Sequence, residues 1–96
     1  MTPEGKIVAY LKKVVREHGG LVRKVEWSGV RGAPDLLVML YGRHVFVECK
    51  RPGEKPEPHQ EREHKRMLEI GGCHVVVIDS EEAADELISW MDWILR

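Results

Sequence analysis

Pro34-Asp35-Leu36-Leu37-Val38-Met39-Leu40-Tyr41-Gly42-Arg43-His44-Val45-Phe46-Val47-Glu48-Cys49-Lys50 is the stretch that decides the fold. Leu36–Leu40 is a continuous apolar run, as expected of a strand buried on both faces. Tyr41-Gly42-Arg43-His44 reads as a tight connection, and Val45–Lys50 as a second central strand. The two together predict a β-hairpin.

Outward from this hairpin the pattern alternates between elements. Thr2-Pro3 is an N-cap followed by proline at the first helical position. Ile7, Val8, Leu11, Val14 and Val15 recur at helical spacing, and His18-Gly19-Gly20 ends the helix. Leu21–Trp27 alternates apolar and charged residues like a partly exposed strand, and residues 28–34 form a glycine-rich loop. On the other side, three prolines and a glycine make residues 51–58 a loop. His59–Ile70 is a polar helix ending at Gly71-Gly72. His74–Ile78 is a buried strand, and Asp79-Ser80 caps a last helix running to about Leu95, with acids in its first turn. The predicted order is αβββαβα over one domain, residues 1–96: an α/β fold with a mixed central sheet flanked by helices.

Composition is that of a globular protein, 43% apolar and 32% charged. No apolar run approaches the ~20 residues of a membrane span. The N-terminal residues lack the features of a signal peptide, so a cytoplasmic location and no membrane partner are expected. Cys49 and Cys73 are expected to be free thiols, with no CxxC spacing for zinc. Net charge is −1 but unevenly spread: residues 1–78 carry 14 Lys+Arg against 10 Asp+Glu, and residues 79–96 one Arg against six acids. The body is mildly basic, which permits a nucleic-acid partner without proving one.

Two carboxylates stand where strands disfavour them. Asp35 opens one apolar strand and Glu48 lies inside the next, a costly placement unless each is paired or bound to a cation. As hairpin neighbours they would meet at one end of the sheet and make an oxygen-rich site suited to Mg²⁺ or Mn²⁺. Lys50 lies two residues from Glu48 and so on the same face, while Cys49 faces away and offers its backbone carbonyl. A lysine beside a metal-bound carboxylate can orient the attacking water and stabilise charge on a phosphate. An isolated Glu-x-Lys is more often a surface ion pair. Its combination with Pro-Asp before the neighbouring strand is what points to a nuclease.

Gly32-Ala33-Pro34-Asp35, then Glu48-Cys49-Lys50, then Gln60 on the following helix, resembles the VRR-NUC (virus-type replication–repair nuclease) family. That family is a compact branch of the PD-(D/E)xK superfamily, with its restriction-endonuclease-like fold. The resemblance implies divalent-metal-dependent phosphodiester hydrolysis, with Glu4, Asp35 and Glu48 holding metal, Lys50 serving catalysis and Gln60 supporting the site. It implies a likeness to Holliday-junction resolvases that act as homodimers, and a prokaryotic or virus-infected host cell. The expected activity is a structure-selective DNA endonuclease acting on branched or junction DNA. The competing reading is a nuclease-like module that binds nucleic acid without cutting it.

Other residues divide between function and solvation. Gln60, His64, Met67 and Leu68 fall on one helical stripe, which must face the sheet. His59 and His64 lack the i, i+4 spacing of a zinc pair and read as packing or phosphate-contacting residues. Arg31, Arg51, Lys55, Arg62, Lys65 and Arg66 are candidates to grip phosphates, with a solvated face the alternative. Lys12, Lys13 and Arg16 read as a solvated face. The last helix is apolar over a wide arc that includes Trp90, Trp93 and Ile94, more than one sheet face needs, which predicts a homodimer.

Overall fold

The computed structural model describes residues 1–93, and Ile94 of the predicted dimer contact lies outside them. Seven elements follow in the predicted order: α1 (Pro3–Glu17), β1 (Leu21–Lys24), β2 (Leu36–Leu40), β3 (Arg43–Cys49), α2 (Pro58–Glu69), β4 (Val75–Ile78) and α3 (Glu81–Trp93). The strands lie in the order β1-β2-β3-β4. The first two pairings are antiparallel and the β3–β4 pairing is parallel, with α2 as the crossover.

The hairpin turn is tighter than the sequence suggests. Leu40 pairs with Arg43, which leaves only Tyr41 and Gly42 in the loop. Both have positive φ, 56° and 75°, the requirement of a two-residue turn whose twist matches its strands. Leu36 pairs with Val47, so the same register carried one residue further sets Asp35 opposite Glu48. The backbone is pinned at Asp35 and at Lys50. Val25 N–H donates to the Asp35 carbonyl at 2.8 Å, and Lys50 N–H donates to the Ile78 carbonyl at 2.9 Å.

The sheet has two unlike faces. Leu36, Val38 and Leu40 of β2, with Val45, Val47 and Cys49 of β3, point into the main core. There they meet Ile7, Leu11, Val14 and Val15 of α1 and Leu87, Ile88 and Met91 of α3. Leu37 and Met39 point the other way and are only half-buried. The expectation that β2 is buried on both faces therefore fails, because α2 is the only helix on that side among the described residues and buries no residue fully. β4, expected to be buried, is a sheet edge whose Val75, Val76 and Val77 stay half-covered. β1, the opposite edge, is partly exposed as predicted.

Helix ends follow the local chemistry read from the sequence. The Thr2 hydroxyl accepts from Gly5 N–H at 3.0 Å, with Pro3 at the first helical position. The Ser80 hydroxyl accepts from Ala83 N–H at 3.0 Å and starts α3. Of the α2 stripe, Gln60, His64 and Met67 face inward, but Leu68 is 51% exposed. Glu63 takes the inner place instead. No described helix is long and apolar enough to cross a membrane.

Candidate active site

Glu48 is the centre of the site. It lies on the half-covered face of β3, and its side chain is 12% exposed. Burial, then the charge of Asp35, push its carboxyl up to about 7, with Glu4 adding to the rise and Lys50 opposing it. Two residues distant in sequence, Asp35 and Glu4, thus bear with the nearby Lys50 on one carboxylate. Lys50, just past the end of β3, is 9% exposed, which is rare for lysine unless a charge partner is near.

Asp35 differs from expectation in one respect. It precedes β2 rather than lying in it, and it is exposed. Its placement therefore carries no burial cost, whereas that of Glu48 does. Glu4, in the first turn of α1, is exposed as well. It lies beside the loop after Lys50, in a shallow depression shared with Thr2, Arg51 and Glu54. Cys49 turns its thiol into the core, 3% exposed, where burial pushes it up to about 12. That thiol is neither nucleophile nor ligand, and Cys49 can contribute only its carbonyl. Both cysteines are free.

The loop carrying Asp35 is held from two sides. The Trp27 indole N–H donates to the Pro34 carbonyl at 2.6 Å, and its ring packs on Phe46 with centroids 5.4 Å apart. On the other side Gly32, at φ +85°, abuts the first turn of α2. A Cβ there would lie 2.7 Å from the His59 carbonyl oxygen and 3.1 Å from Gln60 Cα. No side chain fits in that gap. Gln60 itself accepts from Glu57 N–H at 2.8 Å and so caps α2. Its support of the site runs through this cap and through the seat its backbone gives Gly32.

Sequence reasoning gave Trp27 no role at the site and read His64 only as a packing or phosphate-contacting residue. Trp27 ends the alternation of the first strand one loop before Pro34, and that position was its only signal. His64 lies on the inner stripe one turn after Gln60. Its Nε2 is 3.9 Å from Glu48 Oε1, and burial holds its pKa below the usual histidine range. The pair is therefore not an ion pair at neutral pH. Nε2 is buried without a hydrogen-bond partner.

The candidate phosphate-gripping residues separate into two groups. Arg51 pairs with Glu54 at 3.2 Å, Lys65 with Glu69 at 3.9 Å, and Arg66 with Glu63. These are local i, i+3 or i, i+4 pairs with solvated basic partners, although Glu63 itself is largely covered. Arg31, Lys55 and Arg62 are exposed and form no ion pair among the described residues. Arg31 adjoins Gly32 in the loop that carries Asp35. Lys13 pairs with Glu17 at 4.0 Å, in keeping with a solvated face on α1.

The donor set fits a hard divalent cation. Two carboxylates face one another across the hairpin, a third lies close by, and the nearby Cys49 thiol turns into the core. Among the described residues, no three acid, histidine or cysteine side chains already converge as a closed ligand cluster. Mg²⁺ needs only one or two carboxylates and keeps several waters.

A solved VRR_NUC domain matches this chain with a TM-score of 0.82 and 44% identity, covering 93% of this chain and 97% of that one. The chain belongs to the VRR-NUC family. The "Putative nuclease p44" of Acyrthosiphon pisum secondary endosymbiont phage 1 is 46% identical over 85 residues, 88% of this chain and 90% of that protein. No protein-family model matches. The four-stranded mixed sheet with its three helices is thus the VRR-NUC version of the PD-(D/E)xK fold, and a nuclease domain of this kind has a nucleic acid as its substrate.

Proposed function

We propose that this VRR-NUC domain is a divalent-metal-dependent, structure-selective DNA endonuclease, acting as a homodimer on branched DNA of the Holliday-junction type. The observation that carries the reading is the gathering of Asp35, Glu4 and Lys50 about the half-buried Glu48. Nothing in the packing of the protein requires an acid there. Its raised pKa means that the site without a cation is electrostatically unsatisfied.

Asp35 and Glu48 would hold Mg²⁺ or Mn²⁺, with Glu4 and the Cys49 carbonyl as further oxygen donors. Such an ion, when bound, lowers the pKa of a water and offsets charge developing on the phosphate. The remaining chemistry belongs to the chain. Lys50, anchored by its backbone bond to Ile78, holds its ammonium on the Glu48 side of the sheet. There it can orient the water and stabilise the phosphate oxygens in the transition state. Arg31, Lys55 and Arg62 are available to bind the DNA backbone, a sequence-independent contact that suits selection by structure.

The homodimer rests on α3 and the β4 edge. Trp93 is 80% exposed at the end of α3. An apolar groove lined by Val76, Ala83, Leu87 and Trp90 lies between α3 and β4. Trp90 is half-buried, packed edge-on against His74 with centroids 5.3 Å apart, so it belongs partly to its own chain. A twofold pair would carry two symmetry-related sites, matching the two cuts that a four-way junction needs. The same reading carries a cytoplasmic location in a prokaryotic or virus-infected cell.

The test incubates purified protein with Mg²⁺ or Mn²⁺ and matched junction, flap and linear duplex DNA, alongside sedimentation of wild type and Trp93→Glu. Preferred cutting of the junction, and a dimer that Trp93→Glu dissociates, are expected. Equal cutting of all three substrates would remove the junction preference. Binding without cutting under any metal would favour the silent binding module.

A further inference from the structure

We infer that the groove between α1 and the β1 edge of the sheet is a second nucleic-acid contact, holding the phosphate backbone of the duplex that leads away from the cut. The inference rests on the nuclease reading above and adds to it a surface outside the active site.

Residues 11–25 carry five basic side chains, Lys12, Lys13, Arg16, Arg23 and Lys24, against the single acid Glu17. The whole chain has a net charge of −1, so this positive stretch is local. Folding sorts its charges. Lys13 and Glu17 form an i, i+4 pair at 4.0 Å. On the neighbouring stripe of the same helix, Lys12 and Arg16 are also i, i+4 but carry like charges, a destabilising arrangement. Arg23 of β1 joins them, and the three line one shallow groove with Gly20, Leu21 and Val22. None of the three makes an ion pair among the described residues. Arg23 donates instead to the carbonyl of its own neighbour Val22, at 2.9 Å. Three like charges around one depression repel one another, and an anion between them offsets that repulsion.

The groove is continuous with the active site. Glu4, in the first turn of α1, bears on Glu48. Lys12 and Arg16 follow Glu4 on the same helix, about 12 and 18 Å along its axis. β1 runs back towards the site. Val25 N–H donates to the Asp35 carbonyl, and Arg23 stands two residues earlier, about 7 Å up the strand. The cations therefore mark a track leading outward from Asp35. Its length of about 18 Å matches roughly five base steps of a duplex. A polyanion of regular spacing fits such a track better than one small anion does.

Two alternatives are weaker. Arg16 lies in the last turn of α1 and gains from the helix dipole there, but this explains neither Lys12 nor Arg23. A merely solvated face is what Lys13 shows, and that face supplies its own acid.

The test measures binding of fluorescent duplex and junction DNA by anisotropy, in chelator and across salt. It compares wild type, Arg16→Gln/Arg23→Gln, the same variant with Lys12→Gln added, and Lys13→Gln/Lys65→Gln as a charge-matched control. The double groove variant should bind about 10-fold or more weakly at about 0.1 M salt, and the slope of log affinity against log salt should become shallower by about 0.9 for each cation removed. The control should stay near wild type. Single-turnover cleavage at saturating protein should be unchanged, because the contact is remote from the reacting phosphate. Wild-type affinity in the groove variants overturns the inference, as does an equal loss in the control, or wild type that binds no DNA at low salt. ¹H–¹⁵N spectra of wild type titrated with duplex give a check that needs no variant. Shifts at residues 20–23 support the groove, and shifts confined to the surroundings of Glu48 overturn it. Wild type that binds through the groove yet cuts with neither Mg²⁺ nor Mn²⁺ would bring down the nuclease reading and leave the groove standing as a binding surface.

Discussion

The two faces of the sheet teach opposite lessons about what residues are for. On the face covered by α1 and α3, Leu36, Val38, Leu40, Val45, Val47 and Cys49 of β2 and β3 are apolar and nearly inaccessible. On the face covered by α2, the inward positions include Phe46, Glu48 and His64, and α2 buries nothing fully. One face maximises burial. The other keeps a largely covered acid whose carboxyl is pushed up to about 7 by burial and by Asp35. Stability is concentrated in the first and the proposed reactivity in the second, the division expected when a site is carried by a rigid scaffold.

Substitutions on the two faces should therefore affect different observables. The largest effect is expected on the reactive face: Lys50→Ala should lower metal-dependent DNA cleavage by about 100- to 1,000-fold, the scale of a lost transition-state donor. Its unfolding midpoint should change little, which single-turnover cleavage and thermal melting together would check. The core face should behave in the reverse way. Leu11→Ala, at a fully buried position, should destabilise the fold by about 2–5 kcal/mol in denaturant unfolding, leaving the cleavage rate of the folded fraction near wild type.

Glu48 allows a sharper contrast, since it should oppose stability while serving function. Its folded pKa of about 7 exceeds the usual 4.5. The folded state therefore holds its proton between those values where the unfolded chain does not. Without metal, stability falls as pH rises from about 4.5 through 7 and stays lowered above. Glu48→Gln should remove that loss, making the metal-free protein more stable at pH 8 by of order 1–3 kcal/mol, with no gain at pH 4. The same variant should lose metal binding and cleavage. Thermal melts across pH in the presence of a chelator would read this, and a destabilised variant at pH 8 would contradict it.

A smaller effect is expected where the two faces meet the loop. Trp27→Phe keeps the ring against Phe46 but leaves the Pro34 carbonyl without its donor. It should cost about 0.5–1.5 kcal/mol and slow cleavage by loosening Asp35, both readable in the same assays. Smallest of all, Lys65→Ala removes an exposed pair with Glu69 and should change stability by no more than about 0.5 kcal/mol.

Much of this contrast is legible in the sequence. The hairpin follows from the apolar runs, and same-face alternation pairs Glu48 with Lys50. Setting Asp35 opposite Glu48 needed the true turn length, which depends on Tyr41 accepting a positive φ that a tyrosine does not advertise. The continuous apolar run of β2 suggested burial on two faces, but run length does not reveal that one covering helix is mostly polar. Asp35 was placed in its strand and is instead exposed at the strand's start, because the end of an element is poorly marked by periodicity. Leu68 was assigned inward by its angle on the helical wheel, whereas the α2 axis turns Glu63 in and Leu68 out. His64 was on the inner stripe, but a lone histidine carries no spacing signal. Only the position of Glu48 across the helix–sheet gap gives it meaning.

The most direct test of the central claim is Mg²⁺- or Mn²⁺-dependent cleavage of four-way junction DNA by wild type beside Asp35→Asn. The account predicts cutting by wild type that stops in chelator, and loss of cutting in Asp35→Asn at an unchanged unfolding midpoint. Undiminished cutting by Asp35→Asn, or cutting that persists in chelator, would contradict it.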